Sequence, residues 1–320
     1  MDKVDVVGLG SCAVDYFAIV PKILSAEEKV NVQNLEIRPG GVTANNLTQI
    51  ARLGIKAGWF GKIGDDDNGR LLLRQFEEDE IDTSHIMIMK DKRSSFTWIP
   101  LDPTGSRAIY MFPNVTAEIT PEEIDDLHKD YIEGARALHT EASQLPLKPV
   151  LRACEIAKEA DVTILFDLDV SPTYFVDVAR LGTKKELMTA IHLADILAPC
   201  KDAAREITGR TDPVEMAEKL LSKGPKVVAI TIGESGCVLA TVDQSVKVPG
   251  YRVEVVDTTG AGDAFHGGLS YGFLKGWDLE EIGKFANACA ALCCTKVGAR
   301  AMSRLDEVIT FMRENEPSEN

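Results

Sequence analysis

Strand-like and helical segments alternate along almost the whole chain, and this order constrains the fold more than any other feature. Five short segments rich in Val, Ile and Leu are typical of buried strands: 4–10, 56–64, 162–169, 195–199 and 227–233. Five amphipathic segments are typical of helices: 147–160, 184–194, 214–223, 279–294 and 304–314. Such alternation favours an α/β fold, a three-layer sandwich with a mostly parallel central sheet and helices on both faces.

Two stretches interrupt this alternation. Residues 30–40 alternate apolar and polar side chains, and residues 94–112 have the pattern of a hairpin around the turn sequence DPTG. Neither is followed directly by a helix, so we expect a small separate sheet whose strands are inserted at about 12–38 and 92–113. Ligands bind at the carboxyl edge of the sheet in open α/β folds. The small sheet is therefore expected to form a lid over that edge.

The composition limits the kinds of partner that the protein can have and the cellular compartment that suits it. The 320 residues carry a net charge of −15, which argues against nucleic acid and against an anionic membrane surface as partners. No apolar run approaches the roughly 18 residues of a membrane span, and the N-terminal apolar stretch is too short for a signal peptide. The seven cysteines, an odd number, suit a reducing cytoplasm. The histidines have no metal-ligand spacing, so we expect no structural zinc.

Of three glycine-rich segments, GLGSCA at 8–13 matches the dinucleotide-binding pattern G-x-G-x-x-A. The residues that follow are β-branched and aromatic and run into Pro21, so no long helix is expected there. Without a helix N-terminus, the segment lacks the element that would hold a pyrophosphate. The sequence therefore disfavours a dinucleotide site.

The second glycine-rich segment, RPGGVTANNLTQIARLG at 38–54, places Gly40 and Gly41 before a predicted helix that carries Asn45 near its start. Paired glycines followed by amide side chains suit a polyhydroxy ligand, because amides both donate hydrogen bonds to hydroxyls and accept them. The alternative is a plain glycine turn in which the asparagines cap the helix.

The third segment, DTTGAGDAFHGG at 257–268, lies between a predicted strand at 251–257 and a predicted helix at 263–276. A glycine-rich turn before a helix N-terminus binds anions, because free N–H groups and the helix dipole converge there. An acidic residue in such a site needs another role. If the anion is a phosphoryl group, Asp263 can accept the proton of an incoming hydroxyl; the alternative is that it caps the helix. Three further glycines predict a close approach to this helix of another backbone or a ligand: Gly267, Gly268 and Gly272.

The second and third segments also resemble known signatures. DTTGAGDAFHGGLSYG is similar to the C-terminal signature of the PfkB (ribokinase-like) carbohydrate kinases, and GGVTANNLTQIARLG is similar to their N-terminal glycine signature. The similarity extends to GKIGDDDNG at 61–69 and TIGESG at 231–236. The resemblance covers essentially the whole chain and implies a single ribokinase-like domain over residues 1–320. It also implies an ATP- and magnesium-dependent kinase that phosphorylates a hydroxyl of a small carbohydrate.

The resemblance implies specific roles for the reacting end of the site. Asp263 would be the general base, and the backbone amides from Gly260 through Ala261 and Gly262 to Asp263 would form the anion hole. The positions that match sugar contacts of the family are Asp15, Gly40, Gly41, Asn45 and Glu141. Arg107, in the hairpin, either pairs with a phosphate or an acidic substrate or is an exposed surface residue.

The resemblance also assigns a nucleotide side and a cation site. The residues that match the nucleotide-binding loop and a position beside the adenine are Thr231, Gly233, Gly236 and Asn287. Many members bind a monovalent cation such as K⁺ at positions that correspond here to Asp257, Thr259 and the segment 296–303, which ends at Ser303.

One departure from the family concerns magnesium. Many members have an N-x-x-E motif after a late strand, but here Cys200 and Ala203 stand where Asn and Glu would be. The stretches CKDAA and VVDTTGAGDAFHG instead look similar to the ketohexokinase and sulfofructose-kinase branch. The nearest spare carboxylates for hydrated Mg²⁺ are Asp167 and Asp169, whose alternative role is that of ordinary turn residues at a strand end.

Two other functions remain open from the sequence. A nucleoside kinase on the same fold would need an aromatic slot, and Phe17, Phe96, Trp98 and Phe112 lie in or near the lid strands. A sugar sensor without catalysis would be expected to lose Asp263, which is present. Because a few isolated strands cannot bury both of their faces, we also expect a homodimer joined through the lid sheets.

Overall fold

The computed structural model describes residues 3–317. Its strands are β1 (Val6–Leu9), β2 (Ala13–Ile19), β3 (Asn34–Gly40), β4 (Ala57–Trp59), β5 (Gly61–Gly64), β6 (Ile86–Met89), β7 (Phe96–Leu101), β8 (Tyr110–Phe112), β9 (Ala137–Glu141), β10 (Thr163–Leu168), β11 (Ile196–Pro199), β12 (Val227–Thr231), β13 (Cys237–Ala240) and β14 (Ser245–Val248). Its helices are α1 (Val42–Arg52), α2 (Asp67–Glu78), α3 (Pro121–Glu123), α4 (Lys129–Gly134), α5 (Leu147–Glu159), α6 (Lys184–Leu193), α7 (Lys201–Thr208), α8 (Pro213–Leu221), α9 (Ala261–Lys275), α10 (Leu279–Cys294) and α11 (Leu305–Glu314). Apart from 56–64, which forms two separate strands, the expected strands and helices of the alternating pattern are thus present, with ends shifted by a few residues.

The central sheet has eight strands in the order β14-β13-β12-β11-β10-β9-β1-β4. The six strands from β12 to β4 run parallel, and β13 and β14 complete one edge antiparallel. Helices α1, α2, α9, α10 and α11 contribute to the core on one face, and α4 to α8 contribute to the core on the other. This is the three-layer α/β sandwich that the sequence predicts.

Strand β10 shows why the buried strands of the central sheet are continuous apolar runs in the sequence. Ile164, Phe166 and Leu168 point into one core, while Leu165 points into the other. A parallel strand covered by helices on both sides must be apolar on both faces. Among residues 3–317, no helix is both long enough and apolar enough to cross a membrane.

The lid is a four-stranded sheet in the order β3-β2-β7-β8. Strand β2 follows GLGSCA directly, so this glycine segment leads into a strand instead of a helix, as its β-branched and aromatic residues predict. The hairpin of β7 and β8 turns around residues 102–106, where the Asp102 side chain accepts hydrogen bonds from two backbone amides of the turn. The prediction of a small sheet separate from the central one is confirmed.

Two strand predictions were wrong. Residues 251–257 alternate like a strand but form none; the amides of Val256 and Asp257 instead donate to the Cys294 carbonyl at the end of α10. The segment 56–64 is not one strand. It breaks at Phe60, and Gly61, at φ +148°, starts a separate two-stranded sheet of β5 and β6.

The glycines inside α9 allow two close helix contacts. A Cβ on Gly267 would lie 2.5 Å from the Gln49 side chain on α1, and one on Gly268 would lie 2.9 Å from the Ala286 Cα on α10. Any larger side chain would force the helices apart. The close approach predicted for this helix is therefore with two neighbouring helices, which fix the direction of the α9 N-terminus.

Candidate active site

The candidate site lies where the carboxyl ends of the central strands meet the start of α9 and the lid. Parallel strands end at one edge of the sheet, so β1, β9 and β10 deliver their C-terminal residues to the same place. The side chains that converge there come from segments far apart in sequence.

The anion loop, residues 257–263, is built around a glycine with a left-handed backbone. Gly260 has φ +83° and directly precedes α9, and a Cβ there would lie 2.2 Å from the Ala299 carbonyl oxygen. The Asp257 carboxylate fastens the loop by accepting from the amides of Thr259 and Gly298, both at 2.9 Å. The amides of Gly262 and Asp263 lie in the first turn of α9, where a helix provides no acceptor for them.

Asp263 lies in that first turn, and its Oδ2 accepts a hydrogen bond of 2.7 Å from the Asn45 side chain. Burial raises the pKa of Asp263 well above its usual range, and the nearby Asp169 and Asp167 raise it further. The hydrogen bond from Asn45 and the positive charge of His266 act in the opposite direction. A carboxylate with a raised pKa is a stronger base than an ordinary one, which suits it to accept a proton.

The expected sugar-contacting residues of the lid and α1 lie together. Asp15, on β2, is 8% exposed, its Oδ1 accepts from Thr97 Oγ1 at 2.6 Å, and burial raises its pKa. Gly40 is packed so closely on Asp15 that a Cβ would lie 2.1 Å from Oδ2. Gly41, with φ +95°, lets α1 begin directly after the lid strand and so brings Asn45 close to Asp263.

Glu141, at the end of β9, is fully buried and bonded to the protein. Its oxygens accept from the Ser11 amide at 3.1 Å, from the Thr43 amide at 2.9 Å and from the Thr43 hydroxyl at 2.8 Å. The Ser143 hydroxyl donates a further short hydrogen bond. In this structure Glu141 therefore fastens the loop after β1 to the start of α1.

His266 is a site residue that the sequence reading missed. Its Nδ1 lies 2.5 Å from Asp167 Oδ2, while the other oxygen of Asp167 is buried without a hydrogen-bond partner. Burial acts to lower the pKa of His266, but Asp167, Asp263 and Asp169 raise it overall. The spacing could have indicated this role, because His266 follows Asp263 by three residues and so lies on the same face of the helix.

The two carboxylates after β10 differ in their access to a metal. Within residues 3–317, no cluster of three or more His, Cys, Asp or Glu side chains is close enough to hold a metal ion by itself. Asp167 is 3% exposed and paired with His266, whereas Asp169 reaches solvent. Although part of its side chain reaches solvent, the surrounding protein partly desolvates the Asp169 carboxyl, and together with the charges of Asp167 and Glu141 this raises its pKa to about 7. Mg²⁺ usually keeps several waters and uses one or two carboxylates plus substrate phosphates, so Asp169 fits such an ion.

The expected nucleotide-side residues meet around the segment 248–250. Gly236, with φ +96°, turns the chain so tightly that a Cβ would lie 2.1 Å from the Val248 carbonyl oxygen. The Asn287 amide donates to the carbonyls of Val248 and Pro249 at 3.2 and 3.0 Å. Of the two other expected residues, Thr231 is the last residue of β12, and Gly233 begins the short turn that follows it.

The expected cation-site residues are already engaged with one another. Asp257 bonds Thr259 and Gly298, which brings the anion loop against the segment 296–303. The Ser303 hydroxyl accepts from the Lys296 ammonium at 3.2 Å. From the lid, Arg107 Nη1 donates to the Thr259 hydroxyl at 3.3 Å, so the hairpin turn reaches the anion loop.

Comparison with known proteins gives a consistent result. The model of the pfkB family carbohydrate kinases matches residues 3–306. The chain is 32% identical to Fructokinase-1 of Oryza sativa subsp. japonica over 307 residues, which cover 92% of this chain and 93% of that protein. It is 34% identical to an uncharacterized sugar kinase of Archaeoglobus fulgidus over 256 residues, which cover 78% of this chain and 96% of that protein.

Solved structures match over nearly the full length. The ribokinase of Thermotoga maritima superposes with a TM-score of 0.83 at 24% identity and covers 97% of this chain and 99% of its own. A ribokinase of Arabidopsis thaliana complexed with ribose and ATP gives 0.83 at 21% identity, with the same coverage. A putative ribokinase II of E. coli with ATP and Mg²⁺ gives 0.84 at 23% identity, again with that coverage. These likenesses show the ribokinase fold. The family match over residues 3–306 establishes that the chain belongs to the pfkB family of carbohydrate kinases.

Proposed function

We propose that this ATP-dependent carbohydrate kinase of the pfkB family transfers the γ-phosphoryl group of ATP to a hydroxyl of a ketose. The observation that supports this most is the Asp263 carboxylate in the first turn of α9, bonded to Asn45 and next to the amides of the glycine loop. The similarity to plant fructokinases makes fructose the first acceptor to test.

In this mechanism the acceptor hydroxyl lies between Asp263 and the γ-phosphorus. Its oxygen forms the new P–O bond as the bond to the β-phosphate oxygen breaks, ADP leaves, and Asp263 accepts the hydroxyl proton. The amides from Gly260 to Asp263 stabilise the negative charge on the transferring group, since donors aimed at developing charge act strongly in a site shielded from water. Positioning, charge stabilisation and one base are sufficient for this chemistry.

Cations complete the proposed site. Bound magnesium would neutralise charge on the phosphate oxygens, and Asp169 is the residue we expect to hold it, through water, in place of the N-x-x-E motif. Asp257 and Thr259, with the segment 296–303, are the residues we expect near a monovalent cation such as K⁺. Thr231, Gly233, Gly236 and Asn287 would contact the nucleotide.

The lid aromatics bear on the nucleoside-kinase alternative. Side chains alternate across a strand, so Phe17 shares a face with Asp15, whereas Tyr16 and its cross-strand neighbour Trp98 lie on the opposite face. Phe96, two residues before Trp98, lies on that opposite face as well. Most of the aromatic slot that a base would need therefore points away from the acceptor side, which favours a sugar.

The direct test is incubation of the purified protein with ATP, Mg²⁺ and a panel of sugars, ketoses and nucleosides, with ADP release as the measurement. We expect the highest kcat/KM for a ketose, with fructose included from the start. Turnover with nucleosides alone would support the alternative function. ADP release that is the same with and without every acceptor would contradict a kinase of this class.

The pH dependence follows from the raised pKa of Asp263. The base works only when it is deprotonated, so kcat/KM should fall as the pH drops through that raised pKa. The acidic limb should therefore lie above the ordinary carboxyl range of about 4. The groups that face Asp263 and shape this limb are Asn45, Asp167, Asp169 and His266. A rate profile with fructose that stays flat down to about pH 4 would contradict the assignment.

We further propose a homodimer joined through the lids. Ile37, Tyr16, Trp98 and Tyr110 stand opposite one another in register across all four strands, on the face away from Asp15. Two of these side chains are well exposed, Ile37 at 50% and Tyr110 at 57%. Tyr16 already packs on the core and donates to Asn68 of α2. The exposed part of the row, with Ile37 and Tyr110, still needs a cover, and a second copy supplies one.

Light scattering and hydrogen exchange test this arrangement. At micromolar concentration we expect a mass of twice 34.9 kDa, and a mass of 34.9 kDa would mean that no dimer forms. If the lid closes over the acceptor, adding fructose with a non-hydrolysable ATP analogue should increase protection of residues 94–112. Unchanged protection there would mean that the hairpin is not a mobile lid.

A further inference from the structure

Arg300 is a buried cation that no part of the reaction described above uses. It lies in the loop between α10 and α11 and is 8% exposed. Its Nε donates to the Asn45 side-chain oxygen at 3.0 Å, and its Nη2 donates to the Gly40 carbonyl at 2.9 Å. A charged side chain is seldom buried so completely unless it is paired or hydrogen-bonded to other groups of the protein.

The partner of Arg300 is the residue that contacts the proposed base. An asparagine side chain has an oxygen at one branch and an NH₂ at the other, and it can bind in either orientation. A guanidinium has only hydrogen-bond donors. It therefore favours the orientation of Asn45 in which the side-chain oxygen faces it. The NH₂ group is then directed at Asp263, where it donates at 2.7 Å.

Arg300 is itself held firmly. Arg52, on α1, donates to the carbonyls of Arg300 and Met302 at 3.0 and 2.9 Å and pairs with Asp79 at 2.7 Å. The Arg300 guanidinium also lies over the Phe76 ring, 5.4 Å from its centroid. Because the cation is fixed at both ends, it can impose a direction on Asn45.

We propose that Arg300 is a positioning residue for phosphoryl transfer. It selects the orientation of the Asn45 amide, and through that amide it fixes the carboxylate of Asp263 toward the acceptor. Through Gly40 it also holds the glycine that packs on Asp15, so one cation aligns the base with the acceptor side of the site. This inference rests on the proposed kinase function.

The test is a double-mutant cycle of Arg300→Met and Asn45→Ala, with fructose and ATP as substrates. We expect Arg300→Met to lower kcat roughly tenfold in the wild-type background. A loss of this size is within the range of interaction energies between residues of one hydrogen-bond network. In the Asn45→Ala background the same change should cost less than about twofold, because the route to Asp263 is already absent. Equal losses in both backgrounds, or an unchanged kcat, would overturn the proposal.

Two variants separate positioning from folding. Arg52→Gln loosens the same loop without contacting Asn45, so its loss of kcat should be the same in both backgrounds. If Arg300→Met does not fold, Arg300→Gln replaces it in the cycle, since the glutamine amide carries both a donor and an acceptor and therefore no longer selects one orientation of Asn45. The same coupling is expected and the same additivity would overturn it.

A readout without turnover keeps this proposal separate from the kinase proposal. The pKa of Asp263 can be followed by carboxyl NMR and assigned with Asp263→Asn. Arg300→Met should raise it in the wild-type background and leave it almost unchanged in Asn45→Ala. An equal rise in both backgrounds would mean that Arg300 does not act through Asn45, whichever substrate the enzyme proves to use.

Discussion

Replacing Asp263 by asparagine is expected to lower kcat by a factor on the order of 10² to 10⁴, which is the usual contribution of a general base. The fold and the affinity for ATP should remain, because asparagine has nearly the same shape and the amides of the anion loop are untouched. The measurement is kcat and the KM for ATP with the best acceptor, together with the thermal unfolding midpoint.

Asp67→Asn is a matched control for this variant. Asp67 also lies in the first turn of a helix, α2, and its side chain is 98% exposed and pairs with Arg70. An aspartate that only interacts with a helix N-terminus contributes about 0.3–1 kcal/mol to stability and nothing to turnover. If both variants keep near-wild-type turnover, Asp263 is a helix-end residue and not the base.

Asp15→Ala is expected to weaken acceptor binding strongly and ATP binding little. A buried carboxylate that accepts from sugar hydroxyls forms charge-assisted hydrogen bonds, each worth roughly 1.5–3 kcal/mol. One lost bond therefore raises the KM for the acceptor by about 10-fold or more. Asp15→Asn keeps the shape and should lose less. An equal rise in the KM values for ATP and for the acceptor would contradict the placement of Asp15 on the acceptor side.

The strand and helix order was predictable because each element depends mainly on its own residues. The anion loop and the α1 glycine segment were also readable, since their glycines and flanking polar residues lie close together in sequence. The strand expected at 251–257 failed for a non-local reason. Alternation indicates that a segment can form a strand, but here the Cys294 carbonyl at the end of α10 accepts from the amides of Val256 and Asp257 and holds the segment outside the sheet.

Two site residues, Arg300 and His266, were not predicted from the sequence, again for a non-local reason. Arg300 and Asn45 are 255 positions apart, and nothing within the sequence around either one indicates that they meet. His266 faces Asp167 across 99 positions for a similar reason. A single polar residue acquires a role only when the fold brings distant residues into contact with it. In a signature segment, the residues that act together are neighbours in the sequence.

The most direct test of the central claim is a single-turnover experiment with enzyme in excess over ATP labelled at the γ-phosphate. The account predicts that wild-type protein moves the label to fructose, or to the best acceptor of the panel, as a sugar phosphate. It predicts that Asp263→Asn does so more slowly by a factor on the order of 10² to 10⁴. Label that appears as inorganic phosphate regardless of the sugar, or equal transfer rates for the two proteins, would contradict it.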